Sequence, residues 1–504
     1  MKRHCPLRIM VTTALLLASV VWQATAQERS PALQLGNLAQ PSRGNNSFGG
    51  EELVPAGPIA PGPPQLAPAP EPGAPPGSAA ADISFLTLQD AIQAAIRCNP
   101  DLRAAEQRTQ IADAILARAR SEFYPRLGIS EDYAATNNAA QGFMYLLEQG
   151  RFSPNINFNN PGVVDDFHTQ LLVQQGVYAG GRRVAETEAA AANRQAACFG
   201  LAAVQNELVF HVAEAYYRVF QARELAAVRQ QSVRQVEQHL EIVRARERAD
   251  AAVKSDVLTV QVRLAEVKEA LITARHQHDL AWAVLENVCG TRIEQRVLPR
   301  ELPAAPWSEH VQQVETVVAE AQSQRPEVGQ MSSQVQAADR GVRAAQAGKY
   351  PTVNLNADYD VFTPDLVRGN DSWFVGVVVN FTLFDGKRTR NDVRQAEARL
   401  QEIRARQQRL LLDIELGVRR TWLQLEDAKQ RLEVTSQTIG QAQESLREIE
   451  QRYGGQIATI TQLVDAQVAL SNAMVRRTTA LAEVEIARAA LEQATGRLRE
   501  VVGR

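Results

Sequence analysis

An internal duplication constrains this chain more than any local motif. Asn99-Pro100-Asp101-Leu102 matches Arg325-Pro326-Glu327-Val328, and Tyr124-Pro125 matches Tyr350-Pro351, both 226 residues apart. From Tyr178-Ala179-Gly180, which matches Phe384-Asp385-Gly386, the spacing is 206, and it holds through Tyr216/Trp422, Gln261/Gln467, Leu264/Leu470 and Gly290/Gly496. The chain is therefore one unit used twice, with 20 extra residues in the first copy between Tyr133 and Phe167. Self-similarity at a fixed spacing sets the architecture, and local signals then fill in each copy.

Proline placement says what each unit contains. None occurs from Gly162 to Leu298 or from Asp365 to the end, and these stretches are rich in Ala, Gln, Glu, Arg and Leu. Uninterrupted helices need that composition. In the second copy Leu411, Val418, Leu425, Leu432, Ile439, Leu446 and Tyr453 recur every seven residues, with Ile414, Thr421, Ala428, Thr435, Ala442 and Ile449 three positions after each of the first six. This heptad predicts a coiled coil with a seam of mixed large and small residues. The first copy repeats it more weakly through Val212, Val219, Ala226, Val233 and Leu240. A helix from Val184 to Asp250 would run about 100 Å, and each copy returns in a second helix ending near Gly290 or Gly496, as C′ glycines.

Segments of another kind separate the helices. Thr352 to Val361 alternates polar and apolar, and Trp373, Val375, Val377, Val379, Phe381 and Leu383 form a second apolar row. The first copy offers Leu127, Ile129 and Tyr133, then Phe167, Thr169, Leu171, Val173 and Val177. Period two over about ten residues marks a half-buried strand or a membrane barrel strand. Sixteen of the 28 aromatics fall in residues 123–178 and 350–384, which suits interfacial girdles and favours the barrel. Two hairpins give four strands, while a closed membrane barrel needs about eight or more. An open edge in lipid leaves backbone groups unpaired at several kcal/mol each. The barrel must be shared between chains, and twelve strands from three chains suit an open pore better than eight from two.

The N-terminus adds export. Lys2, Arg3 and Arg8 precede an apolar run from Ile9 to Trp22 and Ala24-Thr25-Ala26, which reads as a signal peptide over residues 1–26. Residues 27–82 hold the Pro-rich leader, with ten of the 23 prolines between Glu51 and Ala80, read as a disordered spacer or, alternatively, a polyproline ligand. The first repeat is placed at 83–300 and the second at 301–504. A formal net charge of -3 argues against nucleic-acid binding. No apolar run reaches the length of a spanning helix. Four scattered cysteines exclude a disulfide framework, and Cys98, Cys198 and Cys289 read as buried small residues. His276 and His278 do not share a helix face as metal ligands should. With no phosphate, dinucleotide, zinc or thiol-redox motif, neither an enzyme nor a cofactor is expected.

The duplicated helix, hairpin and long helix pair resembles the TolC-like outer membrane factors. The Tyr-Pro leads into the first strands carry that resemblance, with the exits Tyr178-Ala179-Gly180-Gly181-Arg182-Arg183 and Leu383-Phe384-Asp385-Gly386-Lys387-Arg388. So does the run from Arg452-Tyr453 through Thr459 to Asp465-Ala466-Gln467. It covers roughly residues 84–500. The resemblance implies a mainly helical homotrimer with a shared twelve-strand barrel in the outer membrane of a Gram-negative bacterium and a tunnel in the periplasm. It implies a passive conduit that meets outer membrane lipid and docks a periplasmic adaptor (membrane fusion) protein and an inner-membrane transporter, exporting drugs, metals or proteins. The rival class is a periplasmic coiled-coil protein without a pore, which would not need duplicated aromatic hairpins.

The resemblance also places residues. The periplasmic constriction falls at Tyr453, Gln462 and Asp465, where the family often has two acidic residues three apart; here the first is Gln462, and a nearby basic partner is replaced by Ala458. Asp465 reads equally as a solvated helix-face carboxylate. The docking tips fall at Asp250, Ala251, Lys254, Ser255 and Asp256 and at Gln456, Ile457 and Thr459. Family tips usually carry glycine where Asp250 and Gln456 stand, and Gly454 and Gly455 lie nearby as replacements in the second copy. The insertion around Phe143 to Asn160 reads as an enlarged extracellular loop, either a pore cap or a tolerated addition.

Overall fold

The computed structural model describes residues 86–157, 159–299, 313–365, 369–455 and 457–498, all within one compact unit, Ala79–Arg504. The expected signal peptide, the Pro-rich leader and the repeat boundary at 300/301 lie outside the described residues.

Each repeat opens with two short helices, α1 (Leu88–Cys98) and α2 (Pro100–Ser121) in the first copy. Pro100 breaks the pair because it offers no N–H, and it sits at the start of α2, where none is needed. The Asn99 side-chain oxygen caps α2 by accepting from the Asp101 and Leu102 N–H groups at 2.8 and 3.0 Å. The second copy repeats the arrangement in α6 (Val314–Gln324) and α7 (Pro326–Gln346).

The strands are β1 (Arg126–Thr136), β2 (Val164–Ala179), β3 (Thr352–Thr363) and β4 (Asn370–Asn380), with helix α3 (Ala139–Glu148) between the first two. They form one antiparallel sheet in the order β1-β2-β3-β4. The register lines up Ile129, Leu171, Tyr359 and Trp373 on one face and Ser130, Gln170, Asp360 and Ser372 on the other. On the apolar face the Tyr133 hydroxyl donates to Asp165 at 2.9 Å and the repeat-related Tyr359 hydroxyl to Asp371 at 3.0 Å. Such amphipathic aromatics suit a membrane–water boundary. The extent expected for the last strand, to Leu383, is corrected: β4 stops at Asn380, the partner of Thr352, because Pro351 before it has no N–H to donate.

Four long helices complete the unit. α4 (Arg182–Arg248) and α8 (Arg388–Gly454) each have 67 residues, while α5 (Lys254–Cys289) and α9 (Ile460–Thr495) each have 36. α4 pairs with α5, α8 with α9, and α4 also packs on α9. Heptad residues Val212, Val219, Val233, Leu240, Val418, Leu425 and Leu446 are buried. One cluster gathers Ile92, Leu102, Tyr216, Trp282 and Leu285 from α1, α2, α4 and α5; its repeat-related counterpart gathers Val317, Val418 and Leu491 with Trp422. The Tyr216 hydroxyl donates to the Leu86 carbonyl at 3.1 Å, and burial pushes its pKa up to about 12. By length and composition α4 is apolar enough to cross a membrane, which the sequence reading did not expect. Nine of its residues between Leu208 and Phe220 are spent in the first cluster. Cys289 is buried as expected and its thiol donates to the Ala91 carbonyl at 3.7 Å, but Cys98 and Cys198 are only half-buried. His278 likewise is half-buried and accepts from the Trp282 ring N–H at 3.2 Å.

The glycines that end α5 and α9 meet the proline breaks of their own repeats. Gly290 has φ +71, and a Cβ there would stand 2.7 Å from the Cys98 carbonyl oxygen; Gly496 has φ +83 and faces Arg325. Gly290→Ala should therefore cost more than about 2 kcal/mol. Gly440→Ala, at an exposed helical site with open space, should gain about 0.5–1 kcal/mol. Denaturation midpoints in detergent check both.

Candidate functional site at the helix tips

Two turns join the long helices, one between α4 and α5 and the other between α8 and α9. In the first, the Arg246 carbonyl accepts from the Ala251 N–H at 2.8 Å and the Glu247 carbonyl from the Asp250 N–H at 3.0 Å. In the second, the Arg452 carbonyl accepts from the Ile457 N–H at 2.8 Å. A bond spanning five residues in this way closes a helix with one left-handed residue, usually glycine. Asp250 holds that place with φ +55, tolerable because its short polar side chain suits the left-handed region. The equivalent Gln456 lies outside the described residues. Gly454 and Gly455 do not take over: Gly454 still belongs to α8 and Gly455 has φ −83.

The returning helices start differently. Thr459 caps α9 in a reciprocal box with Gln462: the Gln462 N–H donates to the Thr459 hydroxyl at 3.3 Å, and the Thr459 N–H to the Gln462 side-chain oxygen at 2.9 Å. Gln462, placed by resemblance at the constriction, thus spends its side-chain oxygen on its own helix. Val253 begins α5 with no side-chain cap. Ala251, Lys254, Ser255, Ile457 and Thr459 are exposed, while Asp256 is half-buried in the first turn, where a carboxylate complements the helix dipole. Asp465 is exposed three residues after Gln462 and makes no ion pair among the described residues.

Tyr453, like Asp256, is half-buried. It packs on a cluster that joins all four helices at the tip, including Leu240, Val257, Leu446 and Ile460. The Arg246 guanidinium lies 4.4 Å from its ring centroid and donates to its carbonyl at 3.2 Å. One residue from the first turn therefore clamps the last turn of α8 by a cation–π contact and by satisfying a helix-end carbonyl. Sequence reasoning missed Arg246; a basic residue in the last turn of a long helix was the available signal. Farther up, Ser232 and Ser471 share a hydrogen bond of 2.8 Å and Gln467 donates to Gln235, tying α4 to α9.

A family model described as outer membrane efflux protein matches residues 91–291 and 317–497. The chain belongs to that family. It is 25% identical over 418 residues to the outer membrane efflux protein BepC of Brucella suis, covering 82% of this chain and 86% of that protein. It is 24% identical over 420 residues to the protein CyaE of Bordetella pertussis, covering 82% and 85%. The fold matches the Campylobacter jejuni CmeC outer membrane channel with a TM-score of 0.72 at 14% identity, covering 82% of this chain and 87% of that one. The protein is an outer membrane efflux channel with a periplasmic helical portion, and its family comprises transport proteins rather than enzymes. Channels of the family form trimers and work with efflux pumps.

Two outcomes follow for the tips. Arg246→Ala and Tyr453→Ala should each speed hydrogen exchange in the last turn of α8, and Tyr453→Phe should not, because the ring and carbonyl bind Arg246 while the hydroxyl does not. Burial holds the His239 imidazole below its usual pKa, with Glu450 opposing. The unfolded chain then takes up a proton that the folded one resists. Its contribution to stability is full above the ordinary histidine pKa and falls as pH drops through the folded pKa. His239→Gln should flatten that acid limb in a pH series of thermal unfolding.

Proposed function

We propose that three copies of this channel close head to tail, sharing one twelve-strand barrel, and that the tips dock a periplasmic adaptor serving an inner-membrane transporter. The carrying observation is that repeat-related positions are buried in one copy and bare in the other. Tyr217 is 0% exposed against α9, yet its counterpart Leu423 is 61% exposed; Asn206 and Leu412 differ likewise, 1% against 60%. Ala337 is 9% exposed on α7, which packs on α4 as well as on α8, and its counterpart Ile111 on α2, which packs on α4, is 60% exposed. On the missing side α5 bares Leu258, Val262, Ile272 and Leu280. A contact made once within the chain and left open once at its ends is a heterologous interface, which closes a ring when the rotation allows. Repeat arithmetic turns the internal Gln235–Gln467 pair into Gln441 of one copy against Gln261 of the next, and all four are glutamine.

The sheet supports the same closure. β1 and β4 are its outer strands, and neither can leave an edge in lipid. Gly180 turns against Ala347 and Tyr350 at the β2–β3 junction; Gly386 has the same left-handed backbone with open space around it, beside the exposed Leu383 and Phe384. Tyr124 of a neighbouring copy is the natural occupant. Leu423→Glu should leave the helices folded by circular dichroism but shift the native mass in mild detergent from three chains toward one. A wild-type particle of any other number contradicts the ring.

At the periplasmic end, three copies of Asp465 would line the mouth while Gln462 stays neutral, and the Arg246–Tyr453 clamp would hold the tips inward. The exposed Lys254 and Ile457, with Asp256, would form the docking face. Lys254→Glu or Ile457→Asp should reduce adaptor recovery in pulldown, and unchanged recovery argues against this face. Arg246→Ala should raise single-channel conductance, whereas an unchanged value assigns the clamp to stability alone.

A further inference from the structure

The insertion between β1 and β2 folds onto the sheet. α3 starts two residues beyond β1, where the Asn138 side-chain oxygen accepts from the Ala140 and Gln141 N–H groups at 3.0 and 3.2 Å. Its middle rests on the outer end of β2: a Cβ at Gly142 would stand 3.7 Å from the Val164 Cβ. Gln149 then donates to the Asp166 carboxylate at 2.9 Å and the Asp165 carbonyl at 2.6 Å. Gly150 reaches β4, where a Cβ would meet Asn370 at 3.6 Å. Val164, Asp166 and Asn370 are in register with the polar row of Gln170 and Asp360, so the segment crosses the polar face of three strands. Glu148 comes within electrostatic reach of Asp166, His168 and Asp360. His168 in turn meets the Asp360 carboxylate at 2.8 Å and stacks on Phe362 at 4.4 Å between ring centroids. The second hairpin has no counterpart, since only residues 364–369 join β3 to β4.

In a closed barrel the polar face is the inner one. Twelve strands spaced about 4.8 Å apart and tilted about 40° enclose a backbone cylinder about 24 Å across. A helix with its side chains is about 10–12 Å across, so three of them leave little more than a gap. We infer that α3 is an inward cap that sieves solutes by size at the outer end of the pore, bordered by the carboxylates of Glu148, Asp166 and Asp360. This rests on the shared barrel proposed above. The cap sets an upper limit on what passes between exterior and pore, and it does so whether the periplasmic mouth is open or closed.

The test places a cysteine on the pore face below the cap, Asn356→Cys, in a full-length chain whose other cysteines are serine. Intact cells are treated from outside with a small maleimide and with one carrying a bulky polyethylene-glycol chain. The small reagent should label both the capped chain and a variant with residues 139–160 replaced by a short Gly-Ser turn. The bulky reagent should label the capless variant faster by about tenfold or more, a difference of about 1.4 kcal/mol in barrier. Equal bulky labelling in both overturns the cap, and no labelling by the small reagent in either overturns the pore face itself. A second measurement needs no deletion. Gly142→Cys with Val164→Cys has the Cβ separation of a relaxed disulfide and should cross-link within one chain in cells while still excluding the bulky reagent. Failure to cross-link overturns the placement of α3.

Discussion

Everything in this structure depends on the backbone hydrogen bonds that one chain cannot make. β1 and β4 end a four-stranded sheet whose one face is Ile129, Leu171, Tyr359 and Trp373, a surface fit only for lipid. Lipid offers no partner to a bare N–H or C=O, and in the proposed ring each edge pairs with that of another copy. The helices below carry the same incompleteness in side-chain form. α4 buries Tyr217 and Asn206 against α9, whereas α8 leaves Leu423 and Leu412 exposed among the described residues. Duplication produces both effects, because two equivalent units in one polypeptide make one internal joint and leave its equivalent open at each end.

Much of this was legible in the sequence because it is periodic. Matched prolines and glycines located the helix breaks, and the 67- and 36-residue helices fall at the 206 spacing in both copies. Strand alternation gave the faces, since a period of two admits only one assignment once a face is apolar. Three things were not periodic and were misread or missed. The insertion contains a helix with a polar-capped start at Asn138, but Phe143 to Leu147 is too short a run to show helical periodicity and too isolated to say what it covers. Gly454 and Gly455 look like turn glycines, although the turn's geometry is counted from Arg452 and passes them by. Arg246 lies 207 residues from Tyr453, and nothing local announces that the two meet.

The tips show how a narrow set of interactions can be both firm and adjustable. The hydrophobic cluster around Leu240, Val257 and Leu446 holds the four helices together. Beyond it the ends rely on polar devices worth about 1 kcal/mol each, the Thr459–Gln462 box and the Arg246–Tyr453 contact, and the first turn tolerates a left-handed Asp250. Contacts of that size can be exchanged for contacts with a docked partner. At the other end of the sheet α3 is held by Gln149 on Asp166 and by packing on Val164.

The central claim is that the open joint at the chain ends repeats the closed joint inside. Ser232 and Ser471 meet across α4 and α9 at 2.8 Å, and the 206 spacing converts them to Thr438 of one copy and Ala265 of the next. The most direct test is oxidation of the Ala265→Cys, Thr438→Cys double variant in outer membranes, read by non-reducing electrophoresis. Head-to-tail closure predicts a ladder that ends in a covalent trimer, with neither single variant cross-linking. A monomer that stays uncross-linked, or a ladder that stops at two chains, would contradict it.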